Sequence, residues 1–292
     1  MHALFLFAAA FGCKNDQGLT EIRLEKVAVA SGDFDRIEEA LLRNDVASDI
    51  YEGYIVQPVY DTEAEGEVGG SVLQVEKLFT EVDEDGDPLL FGYDALFVNS
   101  GVRGLGAFVY NDVDPDDALV RDAEVLALTE DYVGRGKTLV VSDWSYDLVE
   151  AIWPDRIAFL NESDGLDAAQ RGVSDSVIAD VVDKDLAAAL GTEQIELFYD
   201  FSYWAVMLDA APGATVYLRG DVDWRTDDGS GSSRLEDVPL LVGFEHSGGR
   251  VIYSAFSWRA QRPQIADLLL LGLVGGVEQT TRGSGTEGEL GE

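Results

Sequence analysis

The sequence predicts an α/β fold, a three-layer sandwich with a mostly parallel sheet, helices on both faces and a C-terminal hairpin. Two observations carry this prediction. Short apolar runs of strand length alternate with segments of helical apolar spacing through the first half of the chain. The run Lys137-Thr-Leu-Val-Val-Ser-Asp-Trp has a continuous apolar centre, which suits a strand covered on both faces.

The elements follow in order. Residues 26–32 read as a buried strand closing on a glycine turn. Residues 33–43 place Phe34, Ile37, Ala40 and Leu41 at helical spacing, with Asp33 as a candidate cap. Residues 53–60 are a second strand candidate, and 71–79 carry Val72, Val75, Leu78 and Phe79 on one helical face. Tyr93-Asp-Ala-Leu-Phe-Val-Asn-Ser-Gly is a third strand. Residues 119–133 form a helix stopped by Gly134-Arg-Gly, 137–144 the fourth strand, and 146–152 a short helix ending before Pro154. In the second half a helix is expected near 174–189, then strands at 215–219, 239–244 and 250–256. The last two flank Glu245-His-Ser-Gly-Gly, a hairpin turn signal. Residues 264–273 close the fold as an apolar helix. The segment from Phe198 to Trp204 is rich in aromatics and reads as an edge strand with one face on the core.

Hydrophobic residues make up 46% of the chain, enough for a proper core. Lys and Arg number 20 against 56 Asp and Glu, a formal charge of −36. Such a surface repels phosphate backbones, so nucleic acid is excluded as a default partner.

The N-terminus, Met-His-Ala-Leu-Phe-Leu-Phe-Ala-Ala-Ala-Phe-Gly-Cys, holds the only cysteine, Cys13. Its apolar run is far shorter than the roughly 20 residues a bilayer span needs, and suits a signal peptide. Ala10-Phe-Gly-Cys13 resembles a bacterial lipobox, which implies lipidation of Cys13 and an exported, membrane-anchored cell-envelope lipoprotein. The expected organisation is a signal at 1–13, a stalk at 14–25, one α/β domain at 26–278 and a disordered tail at 279–292.

The order of strands at 93–101, 136–144, 239–244 and 249–257 resembles the class I glutamine amidotransferase-like superfamily, which has a flavodoxin-like sandwich. In its catalytic branch a nucleophile elbow follows the strand corresponding to Leu139–Val141. Ser142 stands about where that branch has cysteine, while Val140 and Trp144 replace the elbow glycines, whose small size the strained turn requires. The resemblance therefore implies a non-catalytic branch, binding a partner or small ligand outside the C-terminal strand ends. Asn99, Ser100, Ser142, Asp143 and Trp144 are the expected ligand-binding cluster. Ser142 and Asp143 are also candidates for capping the helix that follows.

Two other readings stay open. A serine hydrolase would use Ser142 with His246 as base and Asp147 as its partner, since the only other histidine is His2. A calcium-stabilised surface module would take its oxygens from Asp221, Asp223, Asp227 and Asp228. Apart from calcium, no cofactor motif is present in the sequence.

Overall fold

In a computed structural model of the chain, the described residues are 25–53, 73–106, 118–160, 165–201, 204–226 and 231–274. Cys13, the loop at 61–70, Asp227, Asp228 and the tail at 279–292 lie outside them.

β1 (Val27–Ser31) is buried along its whole length and pairs in parallel with β2 (Ser48–Glu52) on one side and β4 (Ala95–Val98) on the other. β3 (Leu73–Gln74) extends that edge. β5 (Thr138–Ser142) joins β4, and β12 (Gly249–Ser254) joins β5, both in parallel. Antiparallel pairing then continues through β11 (Ser232–His246), β10 (Thr215–Arg225), β7 (Asp175–Val181) and β8 (Gln194–Tyr199). The result is one ten-stranded sheet in the order β3-β2-β1-β4-β5-β12-β11-β10-β7-β8. β6 (Ile157–Phe159) and β9 (Met207–Ala210) form a separate ribbon that packs against β11.

Consecutive residues on a strand point to opposite faces, and β12 shows what covers each face. Gly249 lies against the backbone of Val133 in α3 (Ala123–Gly134), whereas Arg250 reaches the Leu273 carbonyl in α6 (Pro263–Val274). α3 packs with α4 (Tyr146–Ile152), and α6 with α1 (Ile37–Arg43) and α5 (Lys184–Leu190). Helices therefore flank the sheet on both sides. α2 (Val75–Thr80) packs on β2.

Two expectations are corrected, and a third falls almost wholly outside the described residues. Residues 174–189 are a strand followed by a helix, because Val177, Ala179 and Val181 alternate inward and Asp183 caps α5 by accepting from the Leu186 amide at 2.8 Å. The second strand is Ser48–Glu52, and 54–60 lies outside the described residues. Asp33 does not cap α1, which starts at Ile37 without a side-chain cap. Among the described residues no helix is long and apolar enough to cross a membrane.

Candidate functional site

Parallel pairing brings the C-terminal ends of β1, β4, β5 and β12 to one edge. Val98 lies opposite Val141, and Ser142 opposite Ser254. Loop backbones meet closely there: a Cβ on Gly32 would collide with the Ser100 carbonyl.

The centre of this edge is Asp35, a fully buried residue between β1 and α1. Its Oδ2 accepts from Ser142 Oγ at 2.6 Å. Its Oδ1 accepts from the Arg36 amide at 2.7 Å, the Arg259 amide at 3.0 Å and Ser257 Oγ at 3.1 Å. One carboxyl thus ties together the first loop, the tip of β5 and the segment after β12. Burial raises its pKa, opposed chiefly by the Ser142 hydrogen bond.

Around it sit two further buried carboxyls. Glu38 accepts from Asn99 Nδ2 at 2.8 Å, and burial pushes its pKa up to about 7. The same Asn99 nitrogen donates to the Asp35 carbonyl at 3.2 Å. Asp143 accepts from Ser100 Oγ at 3.2 Å and from the Ala205 amide at 3.1 Å, and burial holds its carboxyl well above the usual range. Ser100 also donates its amide to Ser142 Oγ at 3.0 Å, and its hydroxyl accepts from the Trp144 amide at 3.3 Å. Ser145 Oγ closes the network on the Asn99 carbonyl at 2.7 Å.

The structure therefore brings Asn99, Ser100, Ser142, Asp143 and Trp144 together. Asp35, Glu38, Ser145 and Ser257 belong with them and were missed, because neither a helical nor a strand period marks them. Ser142 and Ser145 make no capping hydrogen bond to the turn and helix they precede; the Ser142 hydroxyl goes to Asp35 instead. The tight turn does occur after β5, but its left-handed residue is Asp143, at φ 46°, while Ser142 is extended at φ −118°.

The Ser142–His246–Asp147 arrangement is not assembled. His246 pairs with Gly249 and Ser142 with Ser254, which places them at opposite ends of β12. Five residues of strand separate those ends by about 16 Å. His246 instead packs against Trp153 at a steep tilt, with centroids 5.5 Å apart, and its Nε2 lies 3.4 Å from Glu130. Asp147 faces the segment around Asp167, accepting from its amide at 3.1 Å.

The calcium reading meets a fixed cation. Arg234 lies 3.2 Å from Asp221 and 3.4 Å from Asp223, so a guanidinium supplies the positive charge between these carboxylates. Asp221 also accepts from the Asp237 amide at 3.0 Å, and its pKa is lowered by that bond and by Arg234. These groups border a groove of about 580 Å³. Among the described residues no cluster of three or more histidine, cysteine, aspartate or glutamate side chains is arranged to hold a metal.

No family model matches the chain, and no curated protein does. Among solved structures, two cytoplasmic proteins of Salmonella typhimurium are each 13% identical, at TM-scores of 0.43 and 0.42. Each match covers 85% of this chain, and 97% and 94% of the respective protein. A beta-galactosidase from Rahnella sp. R3 matches at 13% identity and TM-score 0.41, over 86% of this chain but 31% of the enzyme. Likenesses this distant carry no argument about activity. The Salmonella proteins are described as cytoplasmic, which runs counter to the exported, lipid-anchored placement expected from Ala10–Cys13. That expectation is corrected on this finding and taken no further.

Proposed function

We propose that this chain is a non-catalytic, amidotransferase-like α/β domain that binds a small ligand or a partner at the C-terminal edge of its parallel strands. The observation that carries the reading is the state of Ser142. Its proton is directed at the buried Asp35 carboxyl, its oxygen already accepts from the Ser100 amide, and its backbone is relaxed. An activated serine needs a base free to take its proton and an exposed oxygen. Asp35 is held by four donors from three segments, and Ser142 is only 2% exposed. Open α/β sheets take ligands outside the carboxyl ends of their strands, and this edge concentrates the buried polar groups of the parallel half.

Treatment of the folded protein with a fluorophosphonate probe tests the reading against a serine hydrolase. No labelling is the expected result. Labelling that disappears in Ser142→Ala would overturn it.

A further inference from the structure

The groove of about 580 Å³ in the antiparallel half of the sheet shares no lining residue with the strand-tip network. Its origin is an interruption of strand pairing. β10 pairs with β7 from Leu218 to Gly220, and it meets the chain again where the Val173 amide donates to the Asp223 carbonyl at 2.9 Å. Between these points residues 174–178 stand against only Asp221 and Val222, so the longer segment bows away. The Ser176 amide accordingly donates to Asp175 Oδ1, on its own strand, at 2.7 Å.

The gap uncovers an apolar floor. Val177, Trp204 and Gly220 line it and are buried, with Val173 beside them. The indole N–H of Trp204 donates to the Val173 carbonyl at 3.0 Å, so the ring offers the groove apolar surface alone. A Cβ on Gly172 would run into that indole, and glycine there lets the ring settle. The rim is acidic: Asp175, Asp180, Asp221, Asp223 and Asp237 line the groove, and the cation among its lining residues is Arg234.

Arg234 shows which chemistry these carboxylates accept, since its guanidinium reaches both Asp221 and Asp223. Arg219 lies 3.6 Å from Asp237. Asp175 and Asp180 take their hydrogen bonds from neutral groups, the Ser176 amide and Gln194 Nε2, the latter at 2.7 Å. The rim therefore keeps an excess of negative charge over a floor that water solvates poorly.

We propose that this groove binds an organic monocation, a guanidinium or amidinium head carried on a flat apolar body. The body covers Val177 and Trp204, and the head enters among the carboxylates of Asp175, Asp180 and Asp223. The volume lies within the roughly 300–1,000 Å³ of small-molecule sites. An apolar floor gives a bare metal ion nothing to coordinate, whereas it rewards a cation with a hydrophobic body. The site is independent of any ligand at the strand tips.

Isothermal titration calorimetry of the full chain with benzamidine tests this, with benzamide as the neutral isostere. Salt of about 0.15 M shortens the screening length to about 8 Å and mutes the general attraction of so acidic a chain. The expected result is saturable one-to-one binding of benzamidine and none of benzamide at the same concentrations. Asp223→Asn and Asp175→Asn each keep a side-chain oxygen while losing the charge, and each should weaken binding roughly threefold or more. Glu76→Gln on α2, at the other end of the strand order, removes the same charge and should leave affinity unchanged. Arg234→Gln removes the internal competitor and should tighten binding. Absence of saturation, equal binding of benzamide, groove variants that respond no more than Glu76→Gln, or an Arg234→Gln affinity no higher than wild type would each overturn the site.

Discussion

Replacing Asp35 with alanine tests the strand-tip network most directly. The substitution removes the acceptor of four hydrogen bonds. Two come from hydroxyls, Ser142 and Ser257, which can rotate toward other acceptors. Two come from the backbone amides of Arg36 and Arg259, which cannot. Losing the acceptor of a buried amide costs about 1–3 kcal/mol, and both amides are partly buried. The expected destabilisation is therefore about 2–4 kcal/mol, after allowing for water at the more open amides. Asp35→Asn should cost far less. Its oxygen keeps the three donors on Oδ1, and its nitrogen can donate to Ser142 Oγ, reversing that bond. Urea unfolding followed by tryptophan fluorescence measures both variants, with the midpoint read at constant slope. If Asp35→Ala falls within about 1 kcal/mol of wild type, or if asparagine costs as much as alanine, the carboxyl is not the hub described.

Two further outcomes rest on single residues. Glu38 has its folded pKa raised from 4.5 to about 7, so the stability linked to its proton is complete below the ordinary carboxylate range and is lost as pH rises through about 7. Glu38→Gln keeps the acceptor for Asn99 without titrating, and by about pH 8.5 it should gain about 3 kcal/mol relative to wild type compared with pH 4; parallel stability curves from pH 4 to 9 would contradict this. Gln261 binds the edge strand β8 as a neighbouring strand would, accepting from the Phe198 amide at 3.0 Å and donating to its carbonyl at 2.9 Å. Gln261→Ala should uncover that edge, costing about 1–3 kcal/mol and promoting self-association, and light scattering that stays monodisperse at unchanged stability would count against it.

Much of the sheet could be read from periodicity, and the reasons differ by element. β5 and β12 are buried on both faces, so their apolar runs stand out. α4 agrees at both ends with its sequence assignment, and Pro154 just beyond it marks where it stops. β7 was misread as helix because its outward positions include Ile178, 57% exposed, which blurs the alternation of Val177, Ala179 and Val181. Its pairing with β8 and β10 decides its conformation, and that is tertiary information. The strand-tip cluster was legible where the parallel topology alone fixes it, at Asn99, Ser100, Ser142, Asp143 and Trp144. Asp35 was not. Its partners Ser142 and Ser257 lie 107 and 222 residues away, and nothing local distinguishes it from Asp33. The proposed triad failed for a related reason: β11 runs antiparallel, which carries His246 away from the strand tips.

Bulky Val140 and Trp144 argue against a nucleophile elbow at Ser142, and the turn after β5 carries its left-handed conformation one residue later, at Asp143. A left-handed residue that is not glycine costs of the order of 1–2 kcal/mol, so the surroundings must over-determine it. At Asp143 they do. Ser100 and the Ala205 amide hold its carboxyl, and Tyr253 donates its hydroxyl to the Asp143 carbonyl at 3.0 Å. Three segments distant in sequence thus fix one residue, against a penalty smaller than the bonds they make. A nucleophile elbow uses the same strain to thrust a side chain outward into substrate. Here the strained residue is Asp143, its side chain is turned into the protein, and the serine before it keeps an ordinary strand conformation. The strand-to-helix turn after β5 is held by packing and hydrogen bonding, and the residue at its strained position, Asp143, forms part of the buried wall.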